Sequence, residues 1–460
     1  MTRRPEARHP GFTCERAELE SLARAVLERA KRAGASGCDC DVSEAHGLTV
    51  TVRKGKPDTI EHNRDRSLGV SVYFGDRPKV RRGHASTSDL SRAALEQTVD
   101  AAAAIARHTA EDDAAGLPDA GLLARERPEL DLFHPWSLAT EEAVEIARRC
   151  EAAAFAVSKK IRNSEGASVS LQHSQFVLAN SLGFMGGYPS SRHWLSCAVI
   201  AEEKGLMQRD DWYSASRVPS RLANPERLGR YAGERAAARL GARKISTRQA
   251  PVLFEAPLAA GLLGAFVQAT SGGALYRKTT FLVDSLGKPV FAPHVQVVED
   301  PHVPRAMGSA PFDEEGVRTK QRSVVKDGVV EGYFLSTYSA RKLGMPTTGN
   351  AGGSHNLSLR SSLTQASDDF EEMLRKLGTG LLLTELMGQG VNYVTGDYSR
   401  GASGFWVENG KIQYPVEEIT VASTLQEMFR HVVAIGADTI VRGTKQTGSV
   451  LIERMTVAGQ

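Results

Sequence analysis

The sequence lacks several features that define common protein classes. Its five cysteines are odd in number and none follows Cys197, so a disulfide framework is not expected. No run of about 18 apolar residues is present to span a bilayer. The paired Arg3 and Arg4 are not followed by an apolar stretch, so neither a secretory nor a twin-arginine signal is expected. Together these absences predict a cytoplasmic protein with no membrane partner.

A charge excess of one sign is also missing. The 57 Lys and Arg residues against 54 Asp and Glu residues leave a net charge of +3, too little to attract nucleic acid or an anionic membrane through the field of the whole molecule. Helix-turn-helix, zinc-finger and phosphate-loop spacings are absent from the sequence as well. We therefore do not expect a nucleic-acid partner.

The 460 residues exceed the usual size of one hydrophobic core, so two domains are expected. Helical periodicity over 15–33, 90–107 and 140–159 is interleaved with alternating strand-like segments. We predict an α+β protein: an N-terminal α/β domain over 1–245, with helices on a mostly antiparallel sheet, and a C-terminal β-rich domain over 246–460, with antiparallel sheets and a few covering helices.

Turn and cap residues punctuate the C-terminal half. Asp327-Gly328 and Asn409-Gly410 each lie between apolar arms and predict hairpins, because these dipeptides accept the positive φ of a type I′ turn. Covering helices are predicted over 368–377, after Ser367, and over 425–433, where Thr424 and Glu427 match a capping box. The segment 257–270 is apolar around its whole circumference and has no ionisable side chain, so a buried helix is expected there.

Motifs for metal or thiol chemistry are incomplete. Nowhere does glutamate follow histidine, and the two nearest histidines, His294 and His302, stand in a proline-rich stretch without the one-turn spacing of a zinc-binding helix. Cys38-Asp39-Cys40 offers two thiols, which is half of a metal site, and small buried cysteines are the commoner case.

Glycine is concentrated between Leu343 and Gly410, where tight turns around a groove and ordinary hairpin turns are both consistent with the pattern. Ser354, His355 and Asp397 supply the residue types of a catalytic triad in this region. Adjacent side chains on an extended segment point to opposite faces, however, so direct pairing of Ser354 with His355 is unfavourable.

The runs MPTTGNAGGSHNL, TELMGQGVNYVTGDYSRGASGFWVENGKIQYPVEEITVASTLQEMF and AIGAD resemble the TldD/PmbA family, specifically its PmbA (TldE) branch. The resemblance implies a subunit of a cytoplasmic zinc-dependent peptidase, built from TldD-type and TldE-type subunits, that acts on unfolded polypeptides or peptides. It places the zinc in the TldD-type subunit, on a His-Glu-x-x-x-His helix and a later cysteine. The corresponding helix here is Pro257–Thr270, to which no zinc ligand or catalytic glutamate transfers.

For this chain the resemblance therefore implies no catalytic residue, no metal ligand and no bound cofactor. It implies a substrate-binding or groove-forming role for a set of polar residues in the glycine-rich region: Asn350, Ser354, His355, Asp397 and Arg400. The expected partner is a TldD-type catalytic paralogue in a heterodimer, or a second copy of the chain when it is alone. Two alternatives stay open: a self-sufficient hydrolase around His355 and Asp397, and a regulatory module acting on DNA gyrase.

Overall fold

The structure, a computed structural model, describes residues 11–459, so the Arg3–Arg4 pair lies outside the described part. The helices are α1 (Arg16–Arg32), α2 (Arg92–His108), α3 (Thr140–Phe155), α4 (Pro225–Ala238), α5 (Ala256–Ala269), α6 (Gly272–Tyr276), α7 (Thr337–Lys342), α8 (Phe370–Leu377) and α9 (Leu425–Arg430). In the described range, no helix is long and apolar enough to cross a membrane.

The strands are β1 (Gly37–Arg53), β2 (Lys56–Phe74), β3 (Arg81–Thr87), β4 (Ile161–Asn180), β5 (Met185–Gly186), β6 (Pro189–Glu203), β7 (Leu206–Ser216), β8 (Arg248–Phe254), β9 (Val295–Asp300), β10 (Arg322–Lys326), β11 (Val329–Val330), β12 (Asn356–Ser361), β13 (Gly380–Met387), β14 (Asp397–Glu408), β15 (Lys411–Thr424), β16 (Val432–Ile435), β17 (Ile440–Arg442), β18 (Lys445–Thr447) and β19 (Val450–Ala458). This mixture of helices and mainly antiparallel sheets confirms the predicted α+β class.

The first half of the chain forms one seven-stranded antiparallel sheet in the order β3-β2-β1-β4-β6-β7, with β5 paired to β4. Helices α1 and α2 pack on one part of this sheet, and α3 and α4 pack on another. Val42 and Val50 of β1 belong to the two separate cores. Since both positions are even, they lie on the same face of the strand, and all four helices cover that face.

The second half forms two six-stranded sheets, in the orders β11-β10-β9-β12-β18-β17 and β15-β14-β13-β8-β19-β16. In the latter, β15 also pairs with β19, so five strands close into a ring. Two neighbouring pairs, β8 with β13 and β12 with β18, are parallel because long connections carry the chain back in the same direction. Helix α5 lies against β13, β17 and β18, within a core that both sheets share.

Both predicted hairpin turns are confirmed. Asp327 and Gly328 have φ of 50° and 77°, and Asn409 and Gly410 have φ of 51° and 71°. The predicted helix over 257–270 is confirmed as α5, but its complete burial is wrong, because Gly261 is exposed on one stripe of the helix.

The starts and ends of the two short covering helices need correction. Helix α8 begins at Phe370 and is capped by Asp369, whose carboxylate accepts a hydrogen bond from the Glu372 amide, rather than by Ser367. Thr424 caps α9 by accepting from the Glu427 amide, but the described structure shows no bond from the Thr424 amide to the Glu427 carboxylate, so the predicted capping box is only half formed. The helix ends at Arg430 because the chain then enters β16.

Candidate functional site

A groove of about 320 Å³ runs between α5 and the chain that links β13 to β14. Its α5 side is formed by one stripe of the helix: Pro257, Leu258, Gly261, Leu262 and Ala265. Gly261 is exposed in this stripe, whereas Leu262 and Ala265 are buried beneath it. The opposite side combines apolar, aromatic and polar residues: Leu386, Gln389, Val391, Tyr393, Tyr398 and Arg400. The α5 side is therefore apolar and the opposite side carries the polar side chains, with Arg400 as the ionisable cation among these lining residues.

The outer wall exists because the glycine-rich segment 388–396 folds back onto β14. The Ser399 amide donates to the Gly390 carbonyl at 2.7 Å, and Val391 forms an isolated bridge with Tyr398. A Cβ atom at Gly390 would overlap the Ser399 carbonyl oxygen, so the close approach requires glycine. This half of the glycine-rich region does form a groove wall.

Tyr398 and Arg400 are two residues apart on β14 and so share the strand face that points into the groove. One guanidinium nitrogen of Arg400, Nη2, donates to the Gly388 carbonyl at 2.8 Å, and the buried Nε has no hydrogen-bond partner. Burial raises the pKa of Tyr398 to about 12, and the adjacent Arg400 cation opposes part of the rise. The phenol is therefore protonated at neutral pH and can donate a hydrogen bond.

Asp397, another of the sequence-predicted residues, lies on the opposite face of β14 from Arg400. It is exposed, and its carboxylate accepts a hydrogen bond from the Thr395 hydroxyl. Asp397 and Arg400 are thus close in sequence but are not brought together as side chains, and only Arg400 lines the groove.

Asn350 and His355 belong to a different cluster, centred on the buried carboxylate of Glu299. Glu299 Oε1 accepts from Asn350 Nδ2 and from the His355 amide, each at 2.8 Å. Its Oε2 accepts from Arg322 Nε at 2.7 Å, and Arg322 also donates to Asn350 Oδ1. Because Glu299 is 1% exposed, these donors satisfy a carboxylate that water does not reach.

The imidazole of His355 faces the backbone rather than Ser354. Its Nε2 lies 3.0 Å from the Gly349 carbonyl oxygen, and in the described structure no hydrogen bond joins the Ser354 and His355 side chains. Asp397 begins a strand of the other sheet. The three triad residue types are therefore not assembled.

The remaining candidates from the sequence are separate from the groove. His294 contacts the Ser361 hydroxyl and the Val432 carbonyl, each at 2.8 Å, whereas His302 contacts the Thr319 hydroxyl. Burial raises the pKa of Cys38 to about 12, so its thiol is a poor nucleophile or metal ligand at neutral pH.

Comparison with known proteins covers nearly the whole chain. The domain models of one family match three consecutive segments: PmbA/TldA metallopeptidase domain 1 over residues 38–106, the central domain over 133–240 and the C-terminal domain over 247–459. The chain belongs to the PmbA/TldA metallopeptidase family. Metalloprotease PmbA of Escherichia coli O157:H7 is 47% identical over 97% of each chain, which supports the PmbA branch. A metalloprotease TldD homolog of Haemophilus influenzae is 23% identical over 80% of this chain and 78% of its own.

Solved structures of this family have the same fold. A Bacteroides thetaiotaomicron protein described as a candidate modulator of DNA gyrase is 25% identical, with a TM-score of 0.89 over 96% of this chain and 99% of its own. TldE from Thermococcus kodakarensis is 17% identical, with a TM-score of 0.80 over 95% of this chain and 100% of its own. Because TldE is only 17% identical to this chain, the similarity between the two structures establishes a shared fold only.

The zinc ion that the metallopeptidase family implies does not fit the residues that the structure describes. The α5 side of the groove presents proline, leucine, glycine and alanine, none of which has a side-chain donor for a metal. Within residues 11–459, no group of three or more His, Cys, Asp or Glu side chains is placed to hold a metal ion.

Sequence reasoning missed the residues that complete the groove and the buried cluster. Leu386, Val391 and Tyr393 line the groove, and Glu299 organises Asn350 and His355. The spacing of Tyr398 and Arg400 on one strand was a usable signal, because alternation places both on one face. Glu299 carried no such signal, since its donors come from segments distant in sequence.

Proposed function

We propose that this chain is the non-catalytic TldE-type subunit of a cytoplasmic zinc metallopeptidase that cleaves unfolded polypeptides or peptides. The α5 stripe carries the proposal: it lies where the resemblance places the zinc ligands, yet it lines a groove with hydrocarbon side chains only. In this proposal the TldD-type paralogue supplies the zinc and the catalytic residues, and this chain completes the substrate chamber.

The shape and chemistry of the groove support a role with extended chains. Apolar side chains from α5 and from the 386–393 segment accept unfolded polypeptide through nonspecific burial of hydrocarbon. The α5 side offers the groove no polar side chain, so the selectivity of this wall for sequence is expected to be low. A peptidase that degrades unfolded chains requires this low selectivity.

The proposal is tested by reconstitution. The chain is purified alone and together with a TldD-type partner from the same organism, and cleavage of an unfolded polypeptide is measured for each preparation. We expect turnover only in the mixed preparation, and we expect a chelator to remove it. The matched control is a partner with its His-Glu-x-x-x-His glutamate changed to glutamine, which should be inactive with this chain present. Turnover that persists with this control would contradict the non-catalytic role.

The hydrolase alternative finds less support in the geometry, because His355 is held against Gly349 and Asp397 begins a strand of the other sheet. It predicts that His355→Ala abolishes turnover by the isolated chain. The gyrase alternative is supported by the description of the Bacteroides thetaiotaomicron protein. It predicts DNA binding that weakens as salt is raised, because phosphate contacts release counterions.

A further inference from the structure

We propose that the groove binds the free C-terminus of a peptide, with the Arg400 guanidinium holding the terminal carboxylate and the apolar wall holding the last side chain. The choice of a peptide rests on the proposed function. The carboxylate chemistry rests on the residues of the groove itself.

The first support is the state of Arg400. In the described chain no carboxylate lies within ion-pairing distance of it, and its protein partners are the Gly388 carbonyl, to which Nη2 donates, and the Tyr398 hydroxyl. Two other partly buried arginines pair with carboxylates, Arg235 with Glu255 and Arg322 with Glu299. Arg217, like Arg400, donates to backbone carbonyls instead, but it does not line the groove. Arg400 is therefore a cation at a groove wall that lacks a protein counter-ion.

The second support is the donor geometry. The Arg400 Nε atom is buried beyond the reach of solvent, so a ligand in the groove contacts the Nη1 and Nη2 end of the guanidinium, where Nη2 has a second N–H besides the one that bonds Gly388. The Tyr398 hydroxyl lies beside the same guanidinium and also lines the groove. A planar carboxylate accepts from a guanidinium in two parallel bonds, so it matches this arrangement better than a single acceptor does.

The third support is the chemistry of the opposite wall. Leu258 and Leu262 of α5 face Leu386 and Val391 across the groove, and Gly261 leaves open space between them. A terminal residue places its carboxylate and its side chain on one carbon atom. An apolar last residue therefore satisfies the cation and the hydrocarbon wall together.

Binding to the isolated chain tests this without a partner, zinc or turnover. The probe is N-acetyl-Ala-Ala-Ala-Leu with a free carboxylate, compared with the same peptide ending in a carboxamide, each titrated by calorimetry. We expect the free acid to bind at least about tenfold more tightly, which is within the range of a charge-assisted hydrogen bond. Equal affinities, or no binding of the free acid to folded protein, would overturn the proposal.

Variants assign the effect to Arg400. We expect Arg400→Gln to weaken the free acid to the affinity of the carboxamide while leaving the carboxamide unchanged. Arg360→Gln is the matched control, because it removes an exposed cation from β12, outside the groove. Equal losses in the two variants would contradict a local site.

A second variant is available if Arg400→Gln does not fold. Gly261→Phe fills the groove and should abolish binding of both peptides. Unchanged peptide binding by Gly261→Phe would overturn the proposal.

The reconstitution experiment tests the non-catalytic role, and this titration tests carboxylate binding, so a negative result in one does not imply a negative result in the other. A chain that never supports turnover can still discriminate acid from amide. A chain that completes an active peptidase can equally fail to do so.

Discussion

The Arg235 guanidinium donates to both carboxylate oxygens of Glu255, at 2.6 and 3.1 Å. Arg235 belongs to α4, which packs on the first sheet, and Glu255 immediately precedes α5. Each side chain is only 12% exposed, and Arg235 Nε donates in addition to Asp210 at 3.1 Å. The start of the helix that forms the groove wall is therefore fixed to the first half of the chain by a buried ion pair.

Arg235→Ala is expected to destabilise the fold, because it leaves Glu255 buried without its ion-pair partner and Asp210 with only the longer contact to Arg239, at 3.7 Å. Removing one partner of a buried pair costs about 3–5 kcal/mol. Urea denaturation of the full chain measures the change in free energy of unfolding. Arg230→Ala, at an exposed position of the same helix, is the control and should change it by less than about 0.5 kcal/mol. Similar losses in both variants would contradict the anchoring role.

Acid is expected to destabilise the first sheet through His173. Burial and the nearby His46 and His193 rings lower the pKa of His173 to about 4, against 6.5 for a free histidine. A depressed pKa contributes stability above pH 6.5 that is lost as pH falls through 4, amounting to about 3 kcal/mol for this one group. Its Nε2 accepts from the Trp136 amide at 3.1 Å, so the ring is neutral in the fold.

The check is urea denaturation at several values between pH 4 and 7. His173→Gln retains an acceptor for the Trp136 amide but does not titrate, so its stability should fall less steeply on acidification than that of the unmodified chain. Parallel curves for the two proteins would refute the assignment.

Two helical glycines should respond oppositely to the same substitution. A Cβ atom at Gly261 of α5 meets nothing within 4 Å, so Gly261→Ala should stabilise the fold by about 0.5–1 kcal/mol through helix propensity. A Cβ atom at Gly229 of α4 would overlap the Cys150 carbonyl of α3. Gly229→Ala should therefore lower the melting temperature. A higher melting temperature for this variant would show that α3 and α4 pack less closely than described.

The cluster around Glu299 is expected to act in folding rather than in ligand binding. Asn350→Ala removes a donor to the buried Glu299 carboxylate, and leaving such a group short of a partner costs about 1–3 kcal/mol. Peptide affinity should not change, because Asn350 does not line the groove. Paired denaturation and calorimetry separate the two effects, and weakened binding with normal stability would contradict this role.

Local chemistry made much of the fold predictable. The Asp327-Gly328 and Asn409-Gly410 turns follow from backbone preference, and the start of α9 follows from capping, with Thr424 accepting from the Glu427 amide at 3.2 Å. The predicted boundary between 1–245 and 246–460 stays a prediction.

The candidate site was only partly predictable. Glycine density was consistent with a groove as well as with ordinary hairpin turns, and Arg400 does line a groove, but Asn350 and His355 lie around Glu299 instead. Their placement depends on the pairing of β9 with β12, which joins segments more than fifty residues apart. The apolar pattern of 257–270 likewise specified a helix but not which stripe would remain open.

Zinc content and peptide cleavage, measured together on the isolated chain and then during titration with a TldD-type partner, test the central claim most directly. The account predicts no stoichiometric zinc and no turnover for the chain alone, with chelator-sensitive turnover appearing as the partner is added. One zinc per chain with chelator-sensitive cleavage in the absence of any partner would contradict it.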